Sequence, residues 1–393
     1  IKDSFDRSVQ PRTAEAVSVK VPAIWHGKLD KGIEIIGTRS DEIPAVSIMI
    51  ALPGGIRAEG KGELGLASLT AAMLGQGTAR LSEAELSDEL QKLGASISVS
   101  TAQYNNLITI SSLTDKLPQT LALVREVLLQ PGLREADFER LKAQTLQGMK
   151  QSEQQPEWLA GQAFRELVYG KQNRLGQPTD GVLTDVEKLT LADVKRFYHA
   201  YYNPTNAKVV VTGDVTQQQV EQQLGFFTEW QGAAPTLGDL KLKGEQAKAG
   251  IYLVDKPGAP QSVIRIGRRA MPFDTTGEYF VANLMNFNLG GNFNSRINLN
   301  LREDKGYTYG ASSGFQANRE AGIFATGANV RIDATADAIR QFLKEMDNYR
   351  NSGPTPVELA YMRSAVSQQD ALSYETLGQK AGFLLQMIMY DLK

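Results

Sequence analysis

The chain has 393 residues, 42% of them hydrophobic, and its 42 Lys and Arg side chains nearly balance 44 Asp and Glu, which gives a formal net charge of −2. This length suits two ordinary domains, and the near-neutral charge favours neither nucleic acid nor an anionic membrane as a partner. Because the sequence contains no cysteine, disulfides, thiolate nucleophiles and cysteine-based metal sites are excluded.

In chain order, the first part of the sequence mixes strand and helix patterns. Alternating apolar residues predict strands at residues 46–50, 95–102, 106–113 and 209–211. Apolar residues at helical spacing predict helices at residues 66–74, 83–93, 117–129 and 135–152. The second of these helices begins with a Ser82–Glu85 capping box and ends at Gly94. Neighbouring strands joined by short connections favour an antiparallel meander, so the predicted fold class is α+β.

A weak internal repeat predicts two tandem homologous domains, each a mainly antiparallel sheet backed by helices. Residues 33–50 predict two apolar strands around a polar turn, and residues 251–266 predict the same at an offset of 218 residues, with the first strand at 251–254. The helical pattern from Leu133 returns from Pro354 at an offset of 221. Since the order and offset stay nearly constant, we predict a first domain (1–230), a linker (231–249) and a second domain (250–393).

The second copy is shorter than the first. At the offset of 221 residues, Lys393 corresponds to Gln172, so nothing matches the strand-like Lys208–Thr212 of the first copy. Either the protein was trimmed or another segment takes that place. Ala16–Val21, in which valines alternate, is a candidate for such a strand.

Several motifs favour structural interpretations over functional ones. Residues 55–61 match the beginning of a phosphate-binding loop, but Gly62 stands where Ser or Thr should hold magnesium. Residues 60–65 have dinucleotide-binding spacing without a following βαβ unit, so both patterns predict a flexible turn before a helix. The two histidines, His26 and His199, have no companion at ligand spacing, and each is expected to pack or lie at the surface.

Residues 54–78 resemble the pitrilysin or insulinase-type zinc peptidases, the family that includes mitochondrial processing peptidase. The likeness rests on the Gly-Leu-Ala that begins the segment's helix and the Met-Leu and Gly-Thr near its end, which in that family flank an inverted zinc motif, H-x-x-E-H. Here the three motif positions are Ser68, Ala71 and Ala72, whose hydroxyl and methyl groups cannot ligate zinc or activate water.

The same resemblance places a third zinc ligand, a glutamate, further along the chain. That position falls near Gly148 or Met149, neither of which carries a carboxylate, and Glu153 is the nearest acid. The resemblance therefore implies a member of the family without a metal or cofactor of its own.

A second motif supports the resemblance, which covers nearly the whole chain. Residues 289–297 and 301–310 are similar to the family's second-half signature, in which an arginine and a tyrosine seven residues later face the zinc centre. Here these candidate catalytic residues are Arg302, expected at a helix end, and Tyr309, expected on the following strand. The resemblance implies that both donate hydrogen bonds to a substrate carbonyl. In the alternative interpretation, Arg302 pairs with Glu303 or Asp304 and Tyr309 is an ordinary strand aromatic.

The implied function is that of a non-catalytic subunit in a heteromeric zinc endopeptidase. A homologous partner with an intact H-x-x-E-H would hold the zinc, and a peptide or unfolded polypeptide would add to an exposed sheet edge. The alternative is an inert structural or peptide-binding scaffold, like the core subunits of respiratory complexes, and the isolated chain could form a homodimer. Independent zinc proteolysis is disfavoured, and it predicts stoichiometric zinc in the purified chain.

The compartment is only weakly constrained. No run of about 18 apolar residues predicts a membrane span, and the sequence begins with Ile, which leaves room for an upstream signal peptide. Together with the absence of cysteine, this favours a periplasmic or cell-envelope location, while the cytoplasm stays open.

Overall fold

The computed structural model describes residues 22–244 and 246–392. The strands are β1 Ile24–Leu29, β2 Ile33–Arg39, β3 Ala45–Pro53, β4 Ser96–Thr101, β5 Asn105–Leu113, β6 Lys208–Gly213, β7 Gln261–Ala270, β8 Ala311–Ala317 and β9 Gly322–Arg331. The helices are α1 Leu66–Leu74, α2 Glu83–Lys92, α3 Leu117–Leu129, α4 Glu135–Ser152, α5 Pro156–Tyr169, α6 Leu183–Val186, α7 Leu191–Tyr201, α8 Gln217–Gln223, α9 Glu278–Asn286, α10 Arg296–Asn298, α11 Thr335–Ser352, α12 Pro356–Leu372 and α13 Leu377–Met389. Two π-helical segments, Phe287–Gly291 and Leu299–Asp304, accompany α10.

The first domain is built on a six-stranded sheet with the order β1-β2-β6-β3-β5-β4. Only β2 and β6 pair in parallel, and the other neighbours are antiparallel. β3 is apolar along nearly its whole length because it lies in the interior of the sheet, with Ile48 and Ile50 fully buried. The strands and helices predicted for this copy are confirmed, including the capping box of α2, where the Glu85 N–H donates to Ser82.

The second domain has a three-stranded antiparallel sheet with the order β7-β9-β8. Its core packs α11 against this sheet, with Phe342 and Val330 fully buried. The predicted strand at 251–254 is wrong, because these residues form no strand and Ile251 and Leu253 are exposed. In the first copy the equivalent strand, β2, pairs with β6, and no described strand takes the place of β6 beside β7. The suggested replacement, Ala16–Val21, lies outside the described residues.

The two domains exchange one helix each. α13, from the second copy, packs on the outer face of the first sheet, where Ala381 and Leu384 join Ile36 and Val210 in one cluster. α5, from the first copy, packs on β7 of the second sheet. A Cβ at Gly267 on β7 would lie 2.7 Å from the Phe164 ring of α5, so glycine permits this close approach.

Further contacts join the domains near the turn between β4 and β5. Tyr104 in this turn hydrogen-bonds to Glu320 in the turn between β8 and β9. Leu240, within the predicted linker, is buried beside Tyr104 and Leu175. Among the described residues, no helix is long and apolar enough to cross a bilayer.

Candidate functional site

The helix that carries the degenerate motif, α1, is fixed at its N-terminus by a buried carboxylate. Glu59 Oε1 accepts hydrogen bonds of 3.0 Å from the backbone N–H groups of Gly65 and Ala67, which have no partner within the helix. Its other oxygen accepts a 2.8 Å bond from the Nε of Arg174. Burial raises the pKa of Glu59 above its ordinary value, and Arg174 and the two N–H groups oppose that rise.

The same arginine fixes a loop, residues 174–181, against α1. Arg174 donates further hydrogen bonds to the carbonyl oxygens of Pro178 and Thr179, at 2.9 and 3.1 Å. The backbone of this loop approaches α1 so closely that a Cβ at Gly65 would lie 2.5 Å from the Asp180 oxygen. Gly65 also has a φ of +101°, a conformation that favours glycine. Gly65, the glycine of the Gly-Leu-Ala that precedes the zinc-motif positions, is therefore required by the backbone conformation and by the close approach of the loop.

A cavity of about 370 Å³ opens between α1, α4, α5 and this loop. Ser68 and Ala72 of α1 line it, and Gly148, Met149 and Ser152 of α4 lie opposite. The structure thus brings the first, second and third expected ligand positions of the peptidase motif together around one space. Ala71, at the motif's glutamate position, is only 4% exposed and is not among the lining residues.

The residues around this cavity do not fit a zinc ion. The Ser68 hydroxyl donates a 3.4 Å hydrogen bond to the Thr179 carbonyl, and Ala72 and Gly148 have no donor atom to offer. Within residues 22–244 and 246–392, no three His, Asp or Glu side chains are grouped as metal ligands. His26 and His199 lie exposed on β1 and α7.

Sequence reasoning missed several residues of the cavity, and Trp158 and Asp180 are the most informative of them. Trp158, on α5, and Asp180, in the loop after Arg174, also line it, together with Glu153 at the end of α4. Glu153 could be placed because it follows the third ligand position. Trp158 and Asp180 could not, since their approach depends on how α5 and the loop pack.

Arg302 lies in the π-helical segment Leu299–Asp304, close to a helix end as predicted. Its guanidinium is 4.4 Å from the centroid of the Phe293 ring, a cation–π contact. Its Nη1 lies 3.1 Å from Glu303 Oε1 but makes no well-directed hydrogen bond with any described residue. The side chain is about one-third exposed, at 33%.

Tyr309 is not on a strand, which corrects the prediction. It lies in the turn Thr308–Gly310 before β8, which begins at Ala311. The residue is 94% exposed, so its ring covers almost nothing in this chain. Neither Arg302 nor Tyr309 is among the residues that line the cavity.

Two helix-backed sheets with exchanged helices, and a motif helix with Ser68, Ala71 and Ala72 at the three zinc-motif positions, define a peptidase-like protein. The chain belongs to the insulinase-type peptidases of family M16. The family model described as "Insulinase (Peptidase family M16)" matches residues 35–179, and the one described as "Peptidase M16 inactive domain" matches residues 188–366. The chain is an inactive member of this family, which is consistent with a non-catalytic role.

Some similar proteins are named as zinc proteases, and another is named as a non-peptidase homolog. An uncharacterized zinc protease of Streptomyces coelicolor is 25% identical over 78% of this chain and 67% of its own length. A Helicobacter pylori protein named non-peptidase homolog YmxG is 21% identical over 93% of this chain and 84% of its own length.

Solved structures share the fold. The crystal structure of a peptidase M16 inactive domain from Pseudomonas fluorescens has a TM-score of 0.86 and 24% identity, covering 94% of this chain and 88% of that one. A Helicobacter pylori protease structure has a TM-score of 0.85 and 19% identity, covering 94% and 90%.

Proposed function

We propose that this chain is the non-catalytic subunit of a heteromeric zinc endopeptidase and supplies Arg302 and Tyr309 to a zinc site on a homologous partner chain. The observation that carries the proposal is the exposure of Tyr309. A phenol that is 94% exposed in a turn contributes little to the stability of its own chain and is accessible to another molecule. The Arg302 side chain, which is held on the Phe293 ring, is 33% exposed and so keeps part of its surface for contact with another molecule.

In this proposal the two side chains act on the substrate and not on a metal of this chain. A guanidinium and a phenol can both donate hydrogen bonds to a peptide carbonyl and to the oxyanion that forms from it. The peptide itself would bind as an added strand. β4 is one of the two edge strands of the first sheet, so its outer backbone edge has no neighbouring strand among the described residues.

Reconstitution with a partner tests this function. A homologous chain with an intact H-x-x-E-H, found by co-purification from the native source, should restore peptide cleavage when mixed with this one. Arg302→Ala or Tyr309→Phe should then lower turnover by roughly 10²-fold or more, as loss of an oxyanion donor does. Arg350→Ala and Tyr252→Phe, which change other exposed residues of the same kinds, are matched controls and should leave turnover unchanged.

Unchanged turnover in both Arg302→Ala and Tyr309→Phe would refute the assigned roles. A different outcome, peptide binding without cleavage in any reconstituted mixture, would favour the alternative of an inert scaffold. The name non-peptidase homolog, given to the Helicobacter pylori relative, favours that alternative.

The metal content of the purified chain tests the non-catalytic assignment separately. Wild-type protein should contain no stoichiometric zinc, because Ser68, Ala72 and Gly148 occupy the ligand positions and the described residues group no three His, Asp or Glu side chains. Combining Ser68→His, Ala71→Glu, Ala72→His and Gly148→Glu should produce zinc binding near one equivalent, measured by elemental analysis after dialysis. Ala71→Glu alone is the control and should bind none, since it adds no pair of imidazole ligands. Stoichiometric zinc in the wild type would overturn the assignment.

A further inference from the structure

We propose that the cavity between α1, α4 and α5 binds an organic cation with an apolar stem, either the side chain of Lys or Arg in a polypeptide or a free primary amine. The site goes beyond the proposed function. It requires neither a partner chain nor Arg302 and Tyr309, and it uses the space from which the zinc ligands are missing.

The charge of the lining favours a cation. Glu153 and Asp180 both line the cavity, and no Lys or Arg does. Within the part of the chain that the structure describes, neither carboxylate forms an ion pair, whereas nearby Glu59 and Glu63 are paired with Arg174 and Arg196. These two acidic residues, Glu153 half-buried and Asp180 exposed, give the cavity a local negative charge that attracts a cation.

The apolar part of the lining fits the stem of such a ligand. Leu69, Met149 and Leu183 contribute aliphatic surface, and Trp158 contributes an indole ring. An indole face is the best aromatic partner for an ammonium or guanidinium group. The volume of about 370 Å³ lies at the small end of the range for ligand sites, which suits one side chain or a small amine.

The walls of the cavity are held in place before any ligand binds. Arg174, which is 11% exposed, ties the loop carbonyls of Pro178 and Thr179 to Glu59 and so to the N-terminus of α1. Ser68 donates a second link from α1 to Thr179. A preformed site loses less conformational entropy on binding, so even a small ligand can be retained.

Binding to the isolated full chain tests the proposal by calorimetry and by NMR of the tryptophan indole groups. The probes are N-acetyl-lysine methylamide, its neutral analogue N-acetyl-norleucine methylamide, and n-butylamine. We expect the lysine derivative to bind at least about tenfold more tightly than the norleucine derivative. Glu153→Gln and Asp180→Asn should each weaken its binding about 2- to 5-fold, and together about tenfold.

Glu139→Gln is the matched control. Glu139 also lies on α4 and is exposed, but it does not line the cavity, so this change removes the same charge without touching the site. Thermal unfolding of each variant checks that it is folded. Binding of n-butylamine equal to that of the lysine derivative supports a site for free amines, and tighter binding of the lysine derivative supports a polypeptide ligand.

Three results would overturn the proposal. One is equal binding of the lysine and norleucine derivatives, which would show that charge plays no part. Another is a loss of binding in Glu139→Gln as large as in the double variant. The third is the absence of binding by every probe at millimolar concentration. None of these depends on cleavage by a partner, so they leave the proposed function to be judged by its own experiment.

Discussion

The two exchanged helices, α5 and α13, take equivalent places in the repeat but are buried to different extents. α13 lies over β2, β6 and β3 of the first sheet, and its Ala381 and Leu384 are buried. α5 lies on β7 of the second sheet, and only Val168 along its length is buried. Both helices are rich in apolar residues, so the number of strands opposite each helix decides how much of its surface leaves water.

The ion pairs of the two domains also differ in how deeply they are buried. In the first domain the Glu59 side chain is 0% exposed beside Arg174, and both residues hold the cavity wall in place. In the second domain Arg296 and Glu358 hold the π-helical region to the start of α12, with the Glu358 side chain 24% exposed. Charges removed from water depend on their partner more strongly than charges that keep part of their hydration.

Breaking the buried pair should have the largest effect on stability. Arg174→Ala leaves the Glu59 carboxylate buried without its cation, and we expect a loss of about 3–5 kcal/mol in the free energy of unfolding at pH 7. Loss of Arg174 raises the pKa of Glu59 further, and protonation then removes the unpaired charge. The loss should therefore be smaller at pH 5 than at pH 7. Urea unfolding at both pH values measures it.

A variant without either charge controls this experiment. Arg174→Met combined with Glu59→Gln should cost less than Arg174→Ala, because no ion stays buried alone. If Arg174→Ala is equally unstable at both pH values, the cost comes from lost packing or loop contacts and not from the Glu59 charge.

The exchanged helices supply the next test. Leu384→Ala on α13 removes a side chain that is 2% exposed and should cost about 2–5 kcal/mol. Leu159→Ala on α5, the same chemical change at a partly exposed position, should cost about 1–2 kcal/mol. Denaturant unfolding of both variants gives the difference. Equal losses would show that strand number does not control the burial of these helices.

Much of the first domain could be predicted because its signals are local. The capping box at Ser82 and the apolar spacing of α3 and α4 set element boundaries without reference to other parts of the chain. The failure at 251–254 has a tertiary cause. An apolar run forms a strand only beside a partner, and the pattern that is β2 in the first copy has no described partner in the second.

The candidate site likewise contains residues that could be placed from the sequence and one that could not. Ser68 and Ala72 could be placed on one helix face because the motif fixes their spacing, and the third ligand position followed from the family resemblance. The resemblance places Tyr309 on the strand that follows Arg302, but the Thr308 hydroxyl bonds to the backbone of Gly310 and forms a turn instead.

Breaking the partly exposed pair of Arg296 and Glu358 should have the smallest effect on the free energy of unfolding. This effect should disappear at acid pH. The hydrogen bond from Arg296 lowers the pKa of Glu358 to about 2 from an ordinary value of 4.5, aided by the hydrogen bonds at Thr355. A folded-state pKa below the unfolded value contributes stability above pH 4.5 that is lost as the pH falls towards about 2. Glu358→Gln should therefore lose about 1–2 kcal/mol at pH 7 and almost nothing near pH 2.

Asp347→Asn provides the control, since its pair with Arg350 is exposed and should contribute little at any pH. Urea unfolding between pH 2 and 7 compares the three proteins. A constant difference between wild type and Glu358→Gln would mean that Arg296 holds Glu358 through packing rather than charge. In that case the second domain would have no acid-sensitive ion pair at this position, and the contrast with Glu59 would be one of burial alone.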